Sequence, residues 1–346
     1  MIKERQQFLK DLLKSQKLDI ILVYSHYNDS TYGMLFTGIK PLLFHYFYML
    51  PTKKGFFEIS YLIPSIAHAT SEKITPVTED LMDREFEKLL KSYKRIGVIG
   101  NAPLLHFSKV KGKIVMLNEQ VSHLLIQKSP EEVKKIRVAA KIAHNNMKKL
   151  SSFIKPGRTQ IEIGKKLESL YFAEAEGLAF PTCVTTGPEI KETTASFPNS
   201  RKVQAKDIVC IDSGVIKDGF YSDCTRMYFL NNPEAEKNYK TFLKAHNEVI
   251  KQMKVGLPIR EIPVIYKREL KKLGLPADTL EVQDLGHSIG FYVHEPPFLY
   301  SKAYDSFSIC ENMVFTLEPE IIFPKYKMRV EDMILVNKKG AENLTA

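Results

Sequence analysis

This 346-residue chain is poor in the features that would place it outside the ordinary globular proteins. It has four cysteines, Cys183, Cys210, Cys224 and Cys310, and none are spaced as CxxC. A thiolate metal site or a disulfide framework is therefore not expected, and reduced, mostly buried thiols in a cytoplasmic protein are. No apolar run approaches the roughly 18–20 residues needed to cross a bilayer, which argues against a membrane partner. The nearest, Pro41 to Leu50, is short and carries His45. Residues 1–5 lead into a charged amphipathic segment rather than a secretory apolar core. Low-complexity tracts are also missing. With 44% hydrophobic and 26% charged residues the composition is that of an ordinary folded chain.

A concentration of one charge sign is lacking too. The net charge is +10, but residues 1–124 hold 17 Lys/Arg and 12 Asp/Glu and the rest hold 33 and 28, so each part carries +5. The densest runs, 88–95 and 134–149, have acidic neighbours and fit solvated helix faces. A nucleic-acid footprint needs clustered charge, so no nucleic-acid partner is expected.

The length suggests two domains. Residues 1–124 read as a small α/β domain. Phe8, Leu9, Leu12 and Leu13 form a helical stripe over 3–17, and 18–24 and 94–99 are strand patterns. The aromatic run 44–48 fits a buried strand, and 81–90 a helix. Residues 125–346 read as the second domain. Ser129-Pro130-Glu131-Glu132 and Thr159-Gln160-Ile161-Glu162 are capping boxes that open two helices, followed by β-type segments at 203–216 and 219–230. The order then repeats. Asn232-Pro233 and Pro258 open two more helices, and β-type segments follow at 313–323 and 328–336. Ile154-Lys155-Pro156-Gly157 resembles Met253-Lys254-Val255-Gly256, an offset of 99 residues. A helix–helix–hairpin unit used twice implies an α+β domain with pseudo-symmetric halves.

Four acids interrupt the apolar strands. Asp212 lies in Ile208–Gly214 and Asp223 follows eleven residues later. A two-residue turn at 217–218 would set them directly opposite each other. Glu318 and Glu331 lie in the second hairpin, across a turn centred between Pro324 and Lys325. Opposed carboxylates in a half-buried sheet repel and call for a cation. His287, flanked by Gly286 and Gly290, offers an imidazole. Oxygen ligands with one imidazole suit Mn²⁺, Co²⁺, Fe²⁺ or Zn²⁺ better than a thiolate site would, and four carboxylates suffice for two divalent ions. Acids buried in salt bridges with Arg226 and Arg329 are the alternative.

With Phe180-Pro181-Thr182, Thr186-Gly187-Pro188, Ile211–Gly214, Tyr221–Arg226, Gly286–Gly290, Val293-His294-Glu295-Pro296, Thr316–Pro319 and Arg329–Asp332 in view, residues from about 125 onward resemble the catalytic domain of the pita-bread metallopeptidases. Residues 1–124 resemble the amino-terminal domain of the aminopeptidase P, prolidase and creatinase branch. The resemblance implies a pita-bread fold, a cytoplasmic homodimer, and two divalent ions, Mn²⁺ ahead of Co²⁺, Fe²⁺ or Zn²⁺. It implies Asp212 and Asp223 on one ion, His287 and Glu318 on the other, and Asp223 and Glu331 bridging. It further implies a metal-bound hydroxide nucleophile, with Glu318 as general base. His294 would contact the substrate carbonyl and Arg329 would sit beside the metals. The expected activity is cleavage of Xaa-Pro bonds in peptides, of the aminopeptidase P or prolidase type. Methionine aminopeptidases fit less well, because that branch usually lacks the extra amino-terminal domain.

One position departs from that branch. It usually carries an active-site histidine seventeen residues before the first Asp, and here that position is Ala195. Loss of one such hydrogen-bond donor typically costs about 2.7–4 kcal/mol of transition-state stabilisation. A creatinase-like hydrolase or lyase of another substrate, or a weakly active binding protein, therefore remains an alternative.

Overall fold

The computed structural model describes residues 1–26, 31–38, 45–50, 57–60, 74–76, 88, 90–282, 285–299 and 301–346. The chain divides into two units, Met1–Leu125 and Ile126–Ala346.

In the first unit, helix α1 (Ile2–Ser15) carries the expected stripe, with Leu9 and Leu12 buried. It is followed by β1 (Ile20–His26), α2 (Thr31–Thr37), β2 (His45–Leu50), β3 (Phe57–Ser60), β4 (Ile74–Pro76), β5 (Arg95–Ile99), β6 (Lys113–Met116) and the short α3 (Asn118–Ser122). The six strands form one mixed sheet in the order β4-β3-β2-β1-β5-β6. Ile20, Leu22 and Tyr24 of β1 pack with Ile96 and Val98 of β5 on one face, the period-2 pattern of a strand. Of the expected helix over 81–90 only residues 88 and 90 are described, both helical, and the side chains of the aromatic run, His45 and His68 lie outside the described residues.

In the second unit, α4 (Pro130–Leu150) and α5 (Gln160–Phe172) begin at the two capping boxes. The Ser129 and Thr159 side chains accept from the backbones of Glu132 and Glu162, whose carboxylates reach back to the cap N–H groups. Next come β7 (Gly177–Leu178), β8 (Cys183–Thr186), β9 (Ile208–Ser213), β10 (Val215–Lys217), β11 (Phe220–Tyr221) and β12 (Cys224–Phe229). The repeat follows as α6 (Pro233–Gln252), α7 (Glu261–Lys272), β13 (His287–Ser288), β14 (Glu295–Phe298), β15 (Met313–Leu317), β16 (Glu320–Ile322), β17 (Lys327–Arg329), β18 (Asp332–Asn337) and β19 (Gly340–Asn343). The pseudo-symmetry extends to the loops. Gly157 and Gly256 each adopt a positive φ, +91° and +87°. Each donates its N–H to a carbonyl of a later segment, Val203 at 2.9 Å and Ile309 at 2.8 Å.

Two cores follow from this duplication. Helices α4 and α5 pack on Val184, Val209 and Ile211. Helices α6 and α7 pack with Ile208, Cys210, Met313, Phe315 and Ile334. Strand β9 therefore contributes one face to each core, and Asp212 continues the face of Ile208 and Cys210. An isolated bridge between Thr225 and Glu331 links the strands of the two halves. No helix among the described residues is long and apolar enough to cross a membrane.

Candidate metal centre

The first hairpin corrects an expectation. Its tight turn is Asp218-Gly219, with φ of +50° and +77°, and Lys217 pairs with Phe220. Asp and Gly tolerate the left-handed conformation such a turn demands, whereas Lys217 does so at greater cost. As a result Asp212 lies opposite Thr225, not Asp223. The two acids are diagonal neighbours. A shift of two residues preserves the face, so they still converge. The ladder breaks beside them, and a Cβ on Gly214 would lie 1.8 Å from the Ser222 carbonyl oxygen. Only glycine permits that close approach.

The second hairpin has the expected register. Leu317 pairs with Asp332 and Glu320 with Arg329, which brackets Glu318 and Glu331. Pro319 cannot donate to the ladder at the break.

Ligand atoms of Asp212, Asp223 and Glu331 lie within 4.8 Å of one another, as do those of His287, Glu318 and Glu331, and those of Asp223, His287 and His294. The structure thus brings all five candidate ligands together. His287 Nε2 is 3.2 Å from Glu318 Oε1 and 3.9 Å from Asp223 Oδ2. Its Nδ1 lies 3.1 Å from the Ser288 carbonyl oxygen. With Nδ1 facing that carbonyl, Nε2 is directed to the carboxylate side. A Cβ at Gly286 would sit 2.1 Å from the Thr316 carbonyl oxygen, so glycine is required for the histidine strand to lie this close to β15. The Thr316 hydroxyl donates to Glu318 Oε1 at 3.1 Å and the Thr225 hydroxyl to Glu331 Oε2 at 2.6 Å. These two threonines were not anticipated, because single hydroxyls in strands carry no distinguishing pattern.

Four buried carboxylates face one guanidinium. Arg329 contacts Glu318 and lies 3.6 Å from Asp212 and 4.0 Å from Glu331. Burial, then repulsion from Glu331, Asp212 and Glu318, pushes the Asp223 carboxyl well above its usual range. Glu331 is raised in the same way, by burial and by Glu318 and Asp212. Burial also raises Asp212 against the pull of Arg329. Burial opposes ionisation of Glu318 as well, but Arg329 and His287 outweigh it and hold the group at about 2. Asp212 Oδ1, Asp223 Oδ1 and Glu331 Oε1 are buried and have no hydrogen-bond partner among the described residues. Among the described residues one arginine leaves the acids under-compensated, and three such oxygens beside an imidazole fit divalent cations.

His294 lies at the solvent side of this cluster, its ring 4.3 Å from that of His287. Desolvation against its neighbours, then the charge of His287, lowers its pKa to about 4. At neutral pH it is an uncharged imidazole able to donate one hydrogen bond. Ala195 is exposed in a segment tied down on either side. The Thr194 hydroxyl donates to Glu320 Oε2 at 2.5 Å, and the Ser196 carbonyl accepts from the Val184 N–H at 3.0 Å.

Behind Glu331, Asp332 pairs with Arg226 at 2.6 Å and with His246 Nε2 at 3.1 Å. His246 Nδ1 in turn meets the Tyr266 hydroxyl at 2.6 Å. Arg226 also donates to the Glu331 carbonyl at 2.7 Å. Burial alone would raise Asp332, but Arg226 and the His246 hydrogen bond hold it well below the usual carboxylate range. His246 thus has a core role, and Arg226 serves the backbone of a candidate ligand rather than the four acids.

A curved two-fold arrangement of αα-hairpins and β-hairpins around a cluster of carboxylates and histidine defines a pita-bread metallohydrolase. The sequence profile of metallopeptidase family M24 matches residues 134–338. The chain belongs to that family, in its prolidase and aminopeptidase P branch, and is a metallo-exopeptidase. It is 26% identical over 355 residues to the Xaa-Pro dipeptidase of Pyrococcus furiosus, covering 99% of this chain and 98% of the relative. The crystal structure of the prolidase from Pyrococcus horikoshii shares the fold with a TM-score of 0.83 at 24% identity, covering 99% of this chain and 98% of that one. The X-Pro aminopeptidase from Thermotoga maritima has a TM-score of 0.79 at 22% identity, over 99% and 97% of the chains. The family implies divalent metal ions and a peptide substrate.

Proposed function

We propose that the protein cleaves Xaa-Pro bonds in peptides with two divalent ions, Mn²⁺ in the first place. Asp212, Asp223, His287, Glu318 and Glu331 are the proposed ligands, with Asp223 and Glu331 shared between the ions. The observation that carries this reading is the set of three buried carboxylate oxygens that, among the described residues, have no hydrogen-bond partner and share one arginine. When bound, such ions lower the pKa of a coordinated water toward neutrality and polarise a carbonyl.

The chain's own groups then have distinct tasks. Glu318 Oε1 accepts from Thr316 and faces His287, while Arg329 holds the other oxygen. Arg329 and His287 hold Glu318 ionised against burial, and as the proposed general base it takes a proton from the attacking water and returns it to the leaving amine. Neutral His294 donates to the substrate carbonyl from the open side. Residues 1–124 are proposed as a creatinase-like amino-terminal domain and 125–346 as the catalytic domain. The absence of a CxxC pair and the four free cysteines support a cytoplasmic location. A homodimer is proposed on the family resemblance.

Ala195 favours a second reading. Without the usual donor, the scaffold would act on another substrate, as creatinase does, or bind without turnover. Metal analysis of the purified protein, with assays on Xaa-Pro dipeptides, Xaa-Pro tripeptides and creatine, separates these readings. Two ions and Xaa-Pro cleavage are expected. Two ions with activity on creatine alone would replace the first reading with the second.

A further inference from the structure

The loop that carries His294 rests on a buried ion pair. Lys128 is 0% and Glu295 1% exposed, with Lys128 Nζ 2.8 Å from Glu295 Oε2. The lysine lies on the segment just before the Ser129 cap, 167 residues from its partner. It also donates to the Ser288 hydroxyl at 3.1 Å, next to His287. The other oxygen of Glu295 accepts two backbone N–H groups, from Phe291 at 2.6 Å and Tyr292 at 2.8 Å. A Cβ at Gly290 would lie 2.7 Å from Lys128 Cε, so the loop passes directly over the lysine stem. One charge pair thereby clamps the turn between the two histidines.

We propose that Lys128 is a positioning residue for His294, holding residues 288–295 in place through Glu295. This rests on the proposed role of His294 as a substrate contact. The alternative role, generic support of the core, is disfavoured by the chemistry. A buried pair is on average no more stabilising than apolar residues of the same volume, but removing one partner leaves an uncompensated charge. The arrangement instead meets directional needs, since it fixes two loop amides and a hydroxyl next to the candidate ligand. Lys128 forms no contact with the four candidate carboxylates among the described residues and acts on the site only through the loop.

The test uses Lys128→Met, Glu295→Gln and the double variant in the full-length protein. In Lys128→Met the orphaned Glu295 charge should release the loop. Amide exchange in peptides covering 289–294 should rise at least tenfold. The kcat/KM on Xaa-Pro peptides should fall about 10–100-fold, the range typical of groups that orient a site residue from behind, with metal content unchanged. Glu295→Gln keeps an amide oxygen for Phe291 and Tyr292 but strands the buried Lys128 charge, so it too should loosen the loop. The double variant buries no charge and keeps that oxygen, so it should recover relative to both single variants in exchange and in kcat/KM. If Lys128→Met does not fold, the double variant should, because the defect is the uncompensated charge. A double variant no better than Lys128→Met, or equally unfolded, overturns the proposal. So does unchanged exchange at 289–294 in Lys128→Met. The exchange readout needs no turnover, so failure of the parent protein to cleave Xaa-Pro peptides would count against the proposed function alone.

Discussion

Withdrawal of divalent metal should destabilise the catalytic unit, and by an amount that grows with pH. With free metal at 100 times its dissociation constant, each ion bound only to the folded state contributes about 2.7 kcal/mol. For a domain of 150–250 residues, 1 kcal/mol moves Tm by about 2–4 °C, and the second unit, residues 126–346, falls in that range. Chelation should thus lower Tm by about 5–11 °C for each ion lost. The pH dependence follows from the carboxylates. Asp223, Glu331 and Asp212 have raised pKa values in the metal-free fold. Unfolded, they ionise near their ordinary values of about 4. Above that pH the folded metal-free state holds protons that the unfolded chain has released, so stability falls as pH rises. Groups with lowered pKa work the other way, but in other windows. Glu318, at about 2, loses its contribution only as pH falls below about 4. His294, at about 4, favours folding increasingly up to its unfolded pKa of about 6.5. Above pH 6.5 neither of these groups adds a slope, so the scans run upward from there and read the raised acids, Asp223 and Glu331 foremost. Calorimetry or near-UV dichroism with Mn²⁺ and with chelator should give two Tm curves that diverge as pH increases. A chelator that leaves Tm unchanged, or curves that converge with pH, would refute the assignment of these acids as under-compensated ligands.

Three further outcomes are expected. Asp223→Asn and Glu331→Gln should each abolish binding of the second ion, since an amide is a poor ligand for a hard cation; elemental analysis finding two metals per chain in either variant rules out bridging. Glu318→Gln should lose turnover by a larger factor than it loses metal or substrate affinity, and a parallel fall in all three would reduce Glu318 to a plain ligand. Ala195→His should raise kcat on Xaa-Pro peptides, by at most the roughly 10²–10³-fold that one such donor supplies. Brisk cleavage by the natural protein, unimproved by the imidazole, would show that another group already fills the role.

The anomalous acids were legible because a carboxylate in an apolar strand is too costly to be incidental. Asp212, Asp223, Glu318 and Glu331 stand out in this way whatever the fold, and the short motif around His287 stands out once they are noticed. The helix starts at Ser129 and Thr159 were legible for a similar reason, since each capping box is complete within four residues. Ala195 was equally visible, as a gap in an otherwise full set.

The first hairpin shows where local reading stops. Placing its turn one residue early moved the pairing partner of Asp212 by two, and the correct turn depended on which residues adopt positive φ. The face survived that error only because a strand repeats every two residues. The supporting contacts were not legible at all. Lys128 reaches Glu295 across 167 residues, Thr225 reaches Glu331 across 106 and His246 reaches Asp332 across 86. Each is an ordinary residue in its own segment, and no periodicity or spacing marks it. The sequence by itself therefore determined which acids are out of place in their strands, the duplicated helix–helix–hairpin order and the helix starts at the two capping boxes, since these depend on patterns within one element. Only the tertiary structure decided how the acids are divided between threonine, arginine and no partner, and what holds the His294 loop, because those energies arise when segments far apart in the chain are buried together.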